Sequence, residues 1–127
     1  MLSGERVLVA EDECLIAMDL ADLFETAGAR VVGPAATVEE ALRLLASEPV
    51  DRASLDFNLA DGEATPVLDM LASKGVPMLV YSGRGLSIDL SRRHPDVTVL
   101  LKPASPKRLI AELAAAKGKA SGESVAV

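Results

Sequence analysis

The chain has 127 residues, 50% of them hydrophobic, which fits one domain of ordinary size with a sizeable core. Aromatics make up only 2%, so that core must be built from Leu, Val, Ala, Ile and Met. A formal net charge of -6 argues against a nucleic-acid binder, which would carry a basic stripe, and against docking on an anionic membrane. No apolar run reaches the roughly 18 residues of a membrane span. The opening stretch Met1-Leu2-Ser3-Gly4-Glu5-Arg6 has no signal-peptide architecture, so a soluble, cytoplasmic protein is expected.

Arg6 to Ala10 reads as a first strand, because Val7, Leu8, Val9 and Ala10 run continuously apolar, as in a sheet covered on both faces. From Glu13 to Ala27 the period becomes helical. Leu15, Ile16, Met18, Leu20, Leu23 and Phe24 form a broad stripe, and Gly28 is a natural residue to follow the helix. Cys14, the one cysteine, falls among these apolar positions and is expected to be a buried small hydrophobe. Val31 and Val32 predict a short second strand stopped by Gly33-Pro34. Thr37-Val38-Glu39-Glu40 fits a capping box, with Thr37 as N-cap and Glu40 three residues inside. Its helix runs to Glu48-Pro49.

Val50 to Asp56 is the third strand, although Arg52 and Ser54 are unusually polar for a buried one. A turn, Asn58-Leu59-Ala60-Asp61-Gly62, precedes a helix over Ala64 to Ser73. Val76 to Tyr81 is the fourth strand and Val97 to Leu101 the fifth. Between them a short helix over Leu86 to Arg93 competes with a loop-rich reading, given Gly83, Gly85 and His94-Pro95. Pro106 suits the first position of a last helix reaching about Lys117. The domain therefore spans residues 5–117, and the small, polar tail 118–127 is expected to be disordered. Five alternations of strand and helix predict an α/β fold: a flavodoxin-like, doubly wound, five-stranded parallel sheet with helices on both faces.

Ligands of such sheets bind beyond the carboxyl ends of the strands. Glu11 and Asp12 follow strand one, and two adjacent acids there can hold a hard divalent cation such as Mg2+. Asp56 follows strand three and can act as a nucleophile toward phosphorus. The backbone carbonyl of Asn58 can join the same ion. Ser82 and Lys102 end strands four and five with a hydroxyl and an ammonium suited to phosphoryl oxygens. Alone, each residue has a plainer reading: Asp12 an N-cap, Asp56 and Ser82 turn residues, Lys102 a surface lysine. Their order is more specific. With strand order 2-1-3-4-5, strand two lies at the edge and the four contributing strands are contiguous.

At these residues the chain resembles a receiver domain of two-component response regulators. Val7-Leu8-Val9-Ala10-Glu11-Asp12-Glu13 is similar to that family's first strand and acid pair. Leu55-Asp56-Phe57-Asn58-Leu59 resembles its phosphoacceptor segment, Ser82 its switch hydroxyl, and Leu101-Lys102-Pro103 its lysine-proline motif, usually joined by a cis peptide. The resemblance implies Mg2+ at Glu11, Asp12, Asp56 and the Asn58 carbonyl. It also implies a phosphoryl group passed from a histidine kinase to Asp56, with Ser82 and Lys102 engaging it. Such a protein is a signalling phosphoacceptor rather than an enzyme, assisting its own phosphorylation and dephosphorylation. Pro77-Met78-Leu79-Val80-Tyr81-Ser82-Gly83-Arg84 faintly resembles an atypical, often single-domain group with Pro-Phe-x-Phe-Ala-Thr-Gly-Tyr at this place, paired with HWE-type kinases.

The chain departs from the family at Val99, where receivers usually carry Tyr or Phe as partner of the switch hydroxyl, and at Ala104, where Phe is common. Three functions compete. The first is a stand-alone phosphorylatable receiver that docks a downstream protein or drains phosphoryl groups from a kinase. The second is a receiver-like protein-binding module acting without phosphorylation, favoured by Val99. The third is a hydrolase with an aspartyl-phosphate intermediate, disfavoured because Asp56 lies on the third strand and no cap domain fits.

Overall fold

The computed structural model describes residues 2–84 and 88–117, without the side chains of residues 88 and 89. In chain order its elements are β1 (Arg6–Ala10), α1 (Cys14–Thr26), β2 (Arg30–Ala35), α2 (Val38–Ser47), β3 (Arg52–Leu55), β4 (Asn58–Leu59), β5 (Gly62–Glu63), α3 (Thr65–Ser73), β6 (Met78–Ser82), α4 (Ile88–Arg93), β7 (Thr98–Leu101) and α5 (Pro106–Ala115). The main sheet is parallel, in the order β2-β1-β3-β6-β7, which is the expected 2-1-3-4-5 arrangement. β4 and β5 form a separate antiparallel hairpin just after Asp56, where the sequence reads only as a turn.

Alternate residues of each strand feed two cores. Leu8, Ala10, Ala53, Leu55 and Val80 face α2 and α3, meeting Leu45, Leu68 and Leu71. Val7, Val9, Leu79 and Tyr81 face α1 and α5, meeting Leu20, Phe24, Leu109 and Leu113. Both faces are thus covered, which is why β1 and β6 read as nearly unbroken apolar runs.

The helix ends follow local chemistry. Thr37 Oγ1 accepts from the backbone N–H of Glu40 at 3.0 Å, as the capping box predicts, while Glu40 Oε1 reaches one residue further back, to the N–H of Ala36. Asp61 reinforces this end from the β4–β5 hairpin. Its carboxylate accepts from the N–H groups of Val38 (2.6 Å) and Glu39 (3.2 Å), the first of which chiefly holds its pKa below the ordinary value. Ser105 caps α5, with Pro106 next.

Four expectations need correction. β2 does not stop at Gly33-Pro34. It continues to Ala35 through a shift of register against β1, and Gly33 has a φ of 100° that a side chain would resist. An edge strand tolerates the proline because its missing N–H removes no inner ladder bond. Cys14 is exposed, not buried, because α1 turns Ala17, Leu20 and Phe24 inward and leaves Cys14, Leu15 and Met18 toward solvent. β3 starts at Arg52, leaving Val50 and Asp51 outside it. β6 includes Ser82 and starts at Met78, after Pro77. Of the two readings left open over Leu86 to Arg93, helix and loop, the structure has a helix from Ile88 to Arg93, α4; residues 86 and 87 lie outside the described residues, as does the tail 118–127. Among the described residues no helix is long and apolar enough to cross a membrane.

Candidate functional site

The carboxyl ends of β1, β3, β6 and β7 bring the predicted polar residues to one rim. Lys102 Nζ stands between two acids, donating to Asp56 Oδ2 and to Glu11 Oε1, each at 2.9 Å. The other oxygen of Asp56 accepts from Ser82 Oγ at 3.2 Å and from the backbone N–H of Asn58 at 3.1 Å. Asp56 is itself anchored by its N–H, which donates to Ala10 O at 2.8 Å. Ser82 and Glu11 are almost sealed, at 1% and 2% exposed, and Asp56 is 8% exposed; Asp12 and Asn58 face solvent.

β2 also contributes, although it carries no site side chain. The extension through its bulge places Ala35 O where it accepts from the Glu11 N–H at 2.8 Å. The Lys102–Pro103 peptide is cis, and the Lys102 N–H donates to Ser82 O at 2.9 Å.

Clustering perturbs the charges. Burial pushes the Glu11 carboxyl above its ordinary value, and the nearby Asp56 charge adds to this, while hydrogen bonds from Lys102 and the Glu13 N–H oppose it. Burial works against the Lys102 ammonium, but its bonds to Asp56 and Glu11 outweigh that and raise its pKa. Carboxylate oxygens of Glu11, Asp12 and Asp56 lie within 4.8 Å of one another. Three hard, anionic oxygen donors with one face open to water suit Mg2+, which keeps several of its waters.

No family model matches the chain. Among solved structures, it is similar to SdrG from Sphingomonas melonis, at 36% identity over 90% of this chain and 97% of that one, with a TM-score of 0.73. It also resembles a CheY-like response regulator receiver domain from Methanospirillum hungatei, at 25% identity over 88% of this chain and 92% of that one, with a TM-score of 0.79. The chain belongs to the response regulator receiver family. A curated relative, the transcriptional regulatory protein PdtaR of Mycobacterium tuberculosis, is 33% identical over 108 residues, 83% of this chain and 53% of its own length. The receiver thus spans about half the length of that relative.

Sequence order located all six predicted residues of this receiver at the rim. It did not anticipate two supports. Asp61 ties the loop after Asp56 to α2, and its signal, Asp before Gly, is indistinguishable from an ordinary turn. Tyr81 sends its hydroxyl to the N–H of Ala104 at 3.1 Å, and Lys102 Nζ lies 5.6 Å from its ring centroid. Val99, in place of the aromatic usual in the family, is 37% exposed on the edge strand β7.

Proposed function

We propose that this receiver accepts a phosphoryl group on Asp56 from a phosphohistidine of a histidine kinase. The observation that carries the reading is the state of Asp56: a nearly buried carboxylate held between a hydroxyl and an ammonium, beside two further acids. An Asp56 carboxylate oxygen attacks phosphorus, the new P–O bond forms as the P–N bond breaks, and the imidazole leaves with the electron pair and takes up a proton. The Ser82 hydroxyl then donates to a phosphoryl oxygen instead of Asp56 Oδ1, and the Lys102 ammonium pairs with another. Glu11, Asp12, Asp56 and the Asn58 carbonyl would hold Mg2+, which when bound neutralises charge on the transferred group. Water later cleaves the acyl phosphate, so the protein is a signalling phosphoacceptor that assists its own chemistry rather than an enzyme acting on others. Pro77, Ser82 and Gly83 support an HWE-type kinase as the donor.

The downstream step is docking of a protein partner or removal of phosphoryl groups from the kinase. Val99 favours a second reading, a protein-binding module that works without phosphorylation, because the usual aromatic partner of the switch hydroxyl is missing. Incubation with Mg2+ and acetyl phosphate, followed by intact-mass measurement, separates the two. The first reading expects one phosphoryl adduct that disappears in Asp56→Asn; no adduct on the unaltered protein, together with no beryllofluoride binding, overturns it.

A further inference from the structure

The connection that carries Lys102 from β7 into α5 is short, and it is anchored twice to β6. Its middle residue, Pro103, has no N–H. The two N–H groups on either side both go to the last two residues of β6: Lys102 to Ser82 O at 2.9 Å, and Ala104 to Tyr81 Oη at 3.1 Å. Ser82 and Tyr81 are consecutive in the strand, so their side chains leave opposite faces of the sheet. Ser82 meets Asp56 on one side; on the other, Tyr81 lies in the groove between α1 and α5 with Ile16, Leu20 and Leu109. The Tyr81 ring also lies beside the Lys102 ammonium, 5.6 Å from centroid to Nζ, within reach of a cation–π attraction.

We infer that Tyr81 is a positioning residue for Lys102: its hydroxyl pins the backbone beyond Pro103 and its ring flanks the ammonium, which together hold Lys102 Nζ between Glu11 and Asp56. This rests on the phosphoacceptor reading and gives the site a support that no side chain at position 99 or 104 supplies. A plain core role would be different in kind. A tyrosine that only fills space contributes to stability as Leu109 does, without affecting what Asp56 binds.

Three proteins decide between these roles: the unaltered receiver, Tyr81→Phe, and Leu109→Ala. Beryllofluoride affinity with Mg2+ is read by fluorine NMR, stability by urea unfolding, and amide exchange at Ala104 by proton NMR. Tyr81→Phe keeps the ring and removes one neutral hydrogen bond, so a roughly 3- to 10-fold loss of beryllofluoride affinity is expected, with faster exchange at Ala104. Leu109→Ala is expected to lose more stability and to bind beryllofluoride as the unaltered protein does. Tyr81→Phe binding as tightly as the unaltered protein overturns the inference alone. So does a loss of affinity in Leu109→Ala that matches or exceeds that of Tyr81→Phe. An unaltered protein that takes neither beryllofluoride nor acetyl phosphate overturns the phosphoacceptor reading, and this inference with it.

Discussion

The two ends of the sheet both bury charge, and they do so in opposite ways. At the amino end, Arg52 donates to Glu5 and to the carbonyls of Leu113 (3.0 Å) and Ala116 (2.8 Å), closing the last turn of α5. Nearby, the Arg6 N–H donates to Asp51 Oδ2 at 2.8 Å. Cations there meet anions or helix carbonyls, and the arrangement is complete as it stands. At the carboxyl end, Glu11, Asp12 and Asp56 crowd together and Lys102 bridges two of them. Like charges gathered in a partly buried place destabilise the fold unless a cation joins them. The first arrangement contributes to stability; the second gives some up and gains a place for a cation and a phosphoryl group.

Removing the cation at each end breaks this comparison most sharply. Lys102→Met leaves Glu11 and Asp56 close together without compensation, and Arg52→Met leaves Glu5 and two helix carbonyls without their donor. Lys102→Met is expected to cost about 3 kcal/mol in urea unfolding without metal, the scale of breaking a buried pair by deleting one partner, and Arg52→Met, whose partners are only partly buried, about 1–2 kcal/mol. Mg2+ should then separate them. An ion that binds only the folded state stabilises it by mass action, so Lys102→Met should recover much of its loss in millimolar Mg2+ while Arg52→Met gains no more than the unaltered protein does. Phosphorylation should survive Arg52→Met. Equal responses of the two variants to Mg2+ would contradict the division between the ends.

A smaller effect tests the rim from its acidic side. The folded state raises the Glu11 pKa above its ordinary 4.5, chiefly through burial. A carboxyl with a raised folded pKa contributes stability that is fully present below its unfolded value and is lost as pH rises through the folded one. In the absence of metal, the unaltered protein should therefore lose stability from this group as pH climbs past 4.5. Glu11→Gln removes that dependence. Its Tm at pH 7 without Mg2+ should exceed that of the unaltered protein by a few degrees, while its gain on adding Mg2+ shrinks. A Tm below the unaltered protein's at pH 7, in metal-free buffer, would show that the bond from Lys102 outweighs the burial of the charge.

Much of the carboxyl end was legible in the sequence, for a physical reason; at the amino end the sequence marked Arg52 as unusually polar for its strand but not its partners. A parallel sheet sends the carboxyl ends of its strands to one side, so the order of strands decides which polar residues meet, and each predicted pair of elements needed to be right only to within a residue or two. What stayed hidden depends on contacts distant in sequence. Gly33-Pro34 reads as a stop, since nothing local says that β2 is an edge strand whose bulge carries the chain on to Ala35. Cys14 sits at a helical position that reads as apolar stripe, and only the packing of Ala17, Leu20 and Phe24 shows which way α1 faces. The partners of Tyr81 and Asp61 lie 23 and 22–23 residues away, beyond any local pattern.

The smallest predicted effect concerns the middle of β3, between the two ends. Arg52, Ser54 and Asp56 fall at alternate positions along β3 and its end, and the first two read as unusually polar for a strand in the sequence. Arg52 has its carbonyls and Glu5, and Asp56 has Ser82 and Lys102, but Ser54 Oγ is buried with no hydrogen-bond partner among the described residues. Ser54 is 1% exposed and its strand neighbours are Val9 and Leu79, both fully covered. A buried hydroxyl without a partner keeps its desolvation cost, whereas the methyl group of alanine has none, and the volume lost is one oxygen atom. Ser54→Ala should therefore raise stability by about 0.5–1 kcal/mol in urea unfolding, with Mg2+ response and phosphorylation unchanged. A loss of stability would mean that the hydroxyl has a partner after all. A change in phosphorylation would mean that the middle of the strand couples the two ends, which its apolar neighbours give no means of doing.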